Sequence, residues 1–307
     1  MSWENKPFMI NNTHRLATVE EVEAVVGRPA SMIMLKELGA LDEGCLRVLE
    51  HSPVAGFGFR DADGVSRTTF VGGRAGFARV RSARRISFRL GEPGSAAGPA
   101  SLVFLLPGVG ETLRVNGSAT GSGEVVFDVE QVYVHCAQAV LRSGLWQGPA
   151  LATPGTGGSR AVLGDNGSTA TPGDGGSTAV RSEDGSPGAP EVTDGPLAAP
   201  GVAGFLATAP FLALSTWDSQ GGGDTSPRGE SGPVARVLDG RTLVIADRKG
   251  NKRADTLHNL LADDRVSFAA LVPGRNGVLH VRGRATITVD PVVLEPLSLR
   301  GVPPPHC

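Results

Sequence analysis

Cysteine is scarce: Cys45, Cys136 and Cys307 stand far apart in 307 residues. None is spaced Cys-x-x-Cys, which excludes a disulfide framework and a thiolate zinc site and fits a reducing compartment. Long apolar runs are missing, and the N-terminal MSWENKPFMINNTHR has no basic segment leading into an apolar one. Neither a membrane span nor a secretory leader is therefore expected, and the expectation is a soluble, cytoplasmic protein with no membrane partner. Aromatic residues make up 5% of the chain, with a single tyrosine, and the net charge is −2. That balance gives no reason to expect nucleic acid as a partner. The sequence contains no P-loop, GxGxxG, GxSxG or HExxH pattern. Its six histidines show no helical i, i+4 pairing, so no metal site is expected. Lysine is the scarcest charge, with Lys6, Lys36, Lys249 and Lys252 set against 25 arginines. Two of those four lie three positions apart.

Glycine (43) and proline (22) are abundant, and they concentrate in one place. Residues 147–200 lack aromatics, repeat Gly, Ser, Thr, Pro, Ala and Asp, and carry two arginines (Arg160, Arg181) against six acids. Such a segment buries too little apolar surface to offset its ordering entropy and is expected to be a disordered linker. It separates residues 1–146 from residues 201–307. These halves resemble each other. Phe104–Ala119 aligns without a gap on Ala270–Ala285, with Pro107, Gly108, Leu113, Val115, Gly117 and Ala119 recurring as Pro273, Gly274, Leu279, Val281, Gly283 and Ala285. His51–Gly64 likewise mirrors Thr208–Gly221, and two matched blocks in the same order point to a tandem duplication.

Each half reads mainly as strands. Phe211–Trp217 is apolar and ends in the turn signal Asp218-Ser-Gln-Gly; Arg241–Ala246 and Arg265–Val272 are further strands, and Val278–Val289 alternates with period two. Between them Ala254–Asp264 spaces Leu257, Leu260 and Leu261 on one helical face. Thr18–Val26 is expected to be an amphipathic helix with Thr18 and Glu21 as a capping box. His258 is expected in solvent and His280 at a structural or surface position. Strands with few helices at this length favour a mainly β fold, a small barrel or sandwich.

The residues that could carry chemistry are cationic. Thr225-Ser-Pro-Arg-Gly-Glu follows the first strand of the C-terminal half, and Asp247-Arg-Lys-Gly-Asn-Lys-Arg253 follows the second, just before the helix. A strand that ends in a glycine-containing turn and opens a helix presents free backbone N–H groups and the positive end of a helix dipole. With Arg248, Lys249, Lys252 and Arg253 added, the turn suits a phosphate dianion. A solvated basic turn is the alternative.

On Ser226-Pro-Arg-Gly229, Asp247-Arg-Lys-Gly-Asn251 with Arg253, Leu257-His-Asn-Leu-Leu261, Pro273-Gly274 with Leu279-x-Val-x-Gly-x-Ala285, and Asp290-Pro with Arg300-Gly-x-Pro-Pro304, the C-terminal half resembles the pyridoxamine 5′-phosphate oxidase-like FMN-binding split-barrel proteins, in their predicted flavin-nucleotide-binding branch. His135-Cys-Ala-Gln-Ala-Val-Leu-Arg-Ser-Gly-Leu-Trp146 resembles the C-terminal signature of the same branch. The resemblance implies two tandem Greek-key split β-barrels and an FMN bound where two barrels meet. It implies Arg248, Lys249 and Arg253 at the phosphate, Ser226 and Arg228 along the ribityl chain or ring, and Asn251 ordering the turn. It further implies an FMN-dependent oxidoreductase acting on a small-molecule substrate, with no acid–base residue nominated. The deazaflavin F420, haem, or a flavin-binding module without turnover are the alternatives. The N-terminal half lacks the basic segments, and the C-terminal half lacks the HCAxAxxRSxLW tail. The expectation is thus an intramolecular pseudo-dimer with one flavin site, or else a homodimer.

Overall fold

The computed structural model describes residues 12–31, 35–92, 94–147 and 194–307. The N-terminal unit consists of α2 (Glu43–His51) and strands β2 (Val54–Asp61), β3 (Ser66–Gly72), β4 (Arg79–Ser82), β5 (Arg85–Arg89), β6 (Ser95–Leu105), β7 (Glu111–Ser122) and β8 (Glu124–Cys136), closed by α3 (Gln138–Ser143). Its strands form one antiparallel sheet in the order β3-β2-β6-β7-β8-β5-β4. The C-terminal unit holds α4 (Val202–Leu206), β9 (Phe211–Trp217), β10 (Gly223–Gly229), β11 (Ala235–Val237), β12 (Leu243–Ile245), α5 (Asp255–Ala262), β13 (Arg265–Leu271), β14 (Leu279–Arg284), β15 (Ile287–Thr288) and α6 (Pro291–Leu294). Its main sheet runs β10-β9-β13-β14, with β11 and β12 paired separately. The protein is mainly β, in two units. The strand order β10-β9-β13-β14 repeats β3-β2-β6-β7, and the two aligned sequence blocks fall on β2 and β9, on the ends of β6 and β13, and on β7 and β14.

The units meet on these repeated strands, and the contacts are reciprocal. Numbers in β2 and β3 plus 157 give their counterparts in β9 and β10; numbers in β6 and β7 plus 166 give those in β13 and β14. Thr68 Oγ1 lies 2.6 Å from Ser267 Oγ, and their counterparts Thr225 Oγ1 and Ser101 Oγ lie at the same distance. His280 Nδ1 is 2.8 Å from the Thr68 carbonyl oxygen, while its counterpart Arg114 donates from Nε to the Thr225 carbonyl at 3.1 Å. Residue i against j′ and j against i′ is the signature of a two-fold interface. On its axis, residues face their own counterparts. Arg60 stacks on Trp217 at 5.0 Å, and a Cβ on Gly56 would come within 2.6 Å of the Ala213 Cβ.

At the centre, Gly58 faces Ser215. A Cβ at 58 would sit 2.7 Å from the Ser215 Cβ and 2.5 Å from Thr225 Oγ1, closer than real contacts allow. The Ser215 hydroxyl fills that space and reaches both Thr68 and Thr225 at 2.8 Å. Only one of the two related positions has room for a side chain, and a single polypeptide permits the two to differ. An apolar patch of Val103, Leu105, Phe211, Ala213 and Val140 continues the interface.

Two expected boundaries shift. The capping box at Thr18 forms, with Glu21 N–H donating to Thr18 Oγ1 at 3.2 Å, but α1 (Val19–Val26) does not join the N-terminal unit. β1 (Arg15–Leu16) pairs with β15, and Leu16 and Val22 pack on Leu257 and Ile287. This apolar face finds its complement only on the far end of the chain, so residues 15–26 belong with the C-terminal unit. The expected linker also ends early. Residues 194–200 are ordered, with a 3-10 turn at Pro196–Ala198 whose Leu197 is buried and donates to the Gly240 carbonyl. The rest of the linker reading, 148–193, lies outside the described residues. No helix among the described residues is long and apolar enough to cross a membrane.

Replacing Gly58 with Ser is expected to destabilise the fold by about 1–3 kcal/mol through overpacking. Adding Ser215→Gly should recover most of that loss, because the hydroxyl returns to the axis from the other side. Urea denaturation of the wild type and the single and double variants checks this.

Candidate functional site

The turn after β12 takes a conformation that side chains resist. Lys252 (φ 65°) and Ala254 (φ 59°) both lie in the left-handed region, which for non-glycine residues costs of order 1 kcal/mol each. Asn251 orders it by accepting the Arg253 N–H on Oδ1 at 3.2 Å. None of the amides from Arg248 to Arg253 has a backbone partner, and α5 starts without a side-chain cap. The turn and the N-terminal end of α5 share one side.

That side is one wall of a cavity of about 540 Å³. The C-terminal unit contributes Ser226, Arg228, the 246–257 turn and His306; the N-terminal unit contributes Arg114, His135, Cys136 and Arg142. The backbone at Gly27 closes a further edge. The HCAxAxxRSxLW tail and the DRKGN turn, far apart in sequence and in different halves, therefore meet in one site. The contact is direct: Arg142 donates from Nε to the Gly229 carbonyl at 3.0 Å.

All six residues expected at the site line this cavity, in unequal states. Ser226 is buried, with its hydroxyl 3.0 Å from that of Thr256. Arg228 lies 3.4 Å from Asp247. Lys249 makes no ion pair among the described residues. Two of the six already make close ion pairs. Arg248 binds Glu230 with both Nε (2.8 Å) and Nη2 (3.1 Å) and donates to the Leu297 carbonyl, so its charge is already neutralised. Arg253 is buried between Glu37 and Asp255 and stacks 4.1 Å over Tyr133, where it ties the two units together.

Sequence reasoning missed Arg142. Burial lowers its pKa; the Glu230 charge at 4.0 Å opposes, and the like charges of Arg248 and Arg228 add smaller lowering effects. A guanidinium crowded by cations and poorly neutralised is a ready anion site. The signal was the arginine inside the tail motif, but its distance from the basic turn hid the connection. His258 also departs from expectation: it is half-buried, and its Nε2 is buried with no hydrogen-bond partner. His280 is structural, joining Thr68 to Glu92.

Beneath the cavity, Arg114 forms a buried bidentate pair with Asp224 at 2.5 and 2.6 Å. Burial acts to lower the Arg114 pKa, but the charges of Asp224, Tyr133 and Asp255 outweigh it and the net shift is upward. Asp247 shows the same competition. Burial acts to raise its pKa, yet the Arg228 charge and the His306 contact hold it near 2.

A mainly β protein of two related units, with one cation-lined cavity built from both, is the class this geometry defines. Residues 199–302, within the C-terminal unit, match the pyridoxamine 5′-phosphate oxidase family model. A crystal structure of HupZ from Group A Streptococcus shares 12% identity, covers 32% of this chain and 96% of its own, and superposes with a TM-score of 0.26. No curated protein matches the chain.

Removing one partner of the Arg114–Asp224 pair leaves a buried charge alone. Arg114→Met is expected to cost about 3–5 kcal/mol, and Arg114→Met with Asp224→Leu to recover most of it. Chemical denaturation measures both. The folded-state pKa of Asp247 lies below its unfolded value, so its stabilisation is complete above about pH 4 and is lost as pH falls toward 2. Asp247→Asn should flatten that limb of an acid-unfolding curve.

Proposed function

We propose that this chain binds one FMN in the composite cavity and acts as a flavin-dependent oxidoreductase on a small molecule. The observation that carries the reading is the meeting of the Arg142 tail and the 247–254 turn around one cavity that Lys249 and Arg142 both line. These groups suit a phosphate dianion, which takes charge-assisted bonds from guanidinium and amide donors together. Ser226 and Thr256 offer hydroxyls to a ribityl chain, and Arg228, held by Asp247, offers a fixed cation beside it. When bound, the flavin supplies hydride chemistry, while the protein positions it and excludes water.

One site per chain follows from what the symmetry-related location lacks. There Thr69 replaces Ser226 and His280 replaces Arg114, and the Glu92 carboxylate bridges the two. No helix stands between β5 and β6, and the described C-terminal residues form no counterpart of β8 and α3. An acidic group with neither basic turn nor tail does not suit a phosphate. The pairing of both units within one chain supports an intramolecular pseudo-dimer over a homodimer.

Purified protein titrated with FMN should bind one equivalent per chain and elute as a monomer. Arg142→Ala should weaken FMN by about 10–100-fold, as expected for one charge-assisted bond. Riboflavin, which lacks the phosphate, should bind Arg142→Ala and wild type alike. Two equivalents per chain would overturn the single-site reading. Preference for F420, which shares the phosphate but differs in absorbance, would replace the cofactor.

A further inference from the structure

The C-terminal unit repeats the N-terminal one up to a missing strand. The offset of 157 that relates β2 to β9 also carries β4 and β5 onto β11 and β12: Val80 pairs with Ile86 as Val237 pairs with Leu243, and Arg79 with Ser87 as Arg236 with Val244. In the N-terminal unit β8 lies between β7 and β5 and pairs with both. In the C-terminal unit β14 pairs with β13 alone and β12 with β11 alone, so no strand among the described residues joins β14 to β12. The chain reaches only the foot of this gap. Asp247 N–H donates to the His306 carbonyl, as its counterpart Leu90 N–H donates to the carbonyl of Gly123, one residue before β8 begins.

The apolar side chains record the gap. Leu113 and Val115 of β7 and Ile86 and Phe88 of β5 are buried, in one core with Val125, Phe127 and Val129 of β8. Their counterparts Leu279, Val281, Leu243 and Ile245 are only partly buried, although they too belong to one apolar cluster. Beside that cluster run two strand edges that pair with no other described strand, and such an edge is a template for an added one. The charges differ as well. Where β7 sets Asn116 and Ser118 opposite Gln131 and Asp128 of β8, β14 carries Arg282 and Arg284. Arg282 makes no ion pair among the described residues, and Arg284 pairs with Asp264 while its side chain stays 74% exposed. Arginines alone could serve to keep other strands away. Here they border apolar side chains that lack the cover their counterparts have.

We propose that the edges of β14 and β12 form a docking site for one extended segment of a partner protein, in which apolar residues alternate with acidic ones. The segment adds as a strand antiparallel to both, as β8 does in the other unit. Its apolar side chains cover Leu279, Val281, Leu243 and Ile245, and its carboxylates meet Arg282 and Arg284. Main-chain hydrogen bonds supply affinity, and the alternation fixes the register. This docking site does not depend on the flavin reading.

β8 itself provides the probe. Residues Glu124–Val132 read Glu-Val-Val-Phe-Asp-Val-Glu-Gln-Val, with Val125, Phe127 and Val129 on the core side. A synthetic peptide of this sequence, added to the full chain, should slow amide hydrogen exchange at 279–284 and 243–245. A peptide with serine at those three apolar positions should not. Charge reversal at the exposed Arg282, in Arg282→Glu, should weaken peptide binding about fivefold, whereas Arg282→Lys should stay near wild type. Protection confined to β7 and β5 would mean that the peptide displaces β8, and overturns a site in the C-terminal unit. Unchanged exchange at β14 and β12, or equal protection by the serine peptide, also overturns it. If 279–284 is already protected without peptide and sedimentation shows a dimer, a second copy holds the edge and the partner segment is overturned.

Discussion

The contact between β2 and β9 is the constraint on which the molecule depends. Two sheets can approach this closely only if the facing positions are small, and Gly56, Gly58, Ala213 and Ser215 meet that requirement. The close approach brings the reciprocal hydroxyl pairs Thr68–Ser267 and Thr225–Ser101 into contact, where each removes two buried polar groups from the unsatisfied state. It also sets the distance at which Arg114 of one unit reaches Asp224 of the other. A buried ion pair is a weak source of net stability but a strong demand on geometry. Here it fixes how the two units register.

From that registration the cavity follows. The tail of the N-terminal unit crosses to β10, where Arg142 meets Gly229, and the basic turn of the C-terminal unit lies opposite. Arg253 and Glu37 join the units at the cavity's edge, with Tyr133 as the platform for the guanidinium. Two units with the same strand order present two related locations where they meet. This chain has divided the parts between its halves, so that a complete set exists at one location and an acidic bridge at the other. The same asymmetry appears at the axis itself, where glycine faces serine. A homodimer would have the same residue at both places.

Much of the fold was legible from local chemistry. The capping box at Thr18, the leucine face of α5, the turn at Asp218 and the strand at Phe211–Trp217 each depend on residues within a few positions of one another. The site was legible in part. The 226–229 and 247–253 segments do lie together, because β10 and the turn after β12 are neighbours in the same unit. Which of their cations are free was not legible. Arg248 is neutralised by Glu230, 18 positions away, and Arg253 by Glu37 of the other unit. Arg142 stood in the tail motif, but its partners at Gly229 and Glu230 are remote in sequence.

By itself, the chain's composition and periodicity determined strands, turns, caps and the existence of two related units, since these arise from backbone propensity and the spacing of apolar side chains. Tertiary structure alone decided which charges pair and which stay unpaired. Electrostatic interactions and close packing act through space and are blind to sequence separation. The near-neutral total therefore revealed nothing about a wall where Lys249 and Arg142 lack full compensation. Only the approach of two strands with small facing residues places those charges around one cavity.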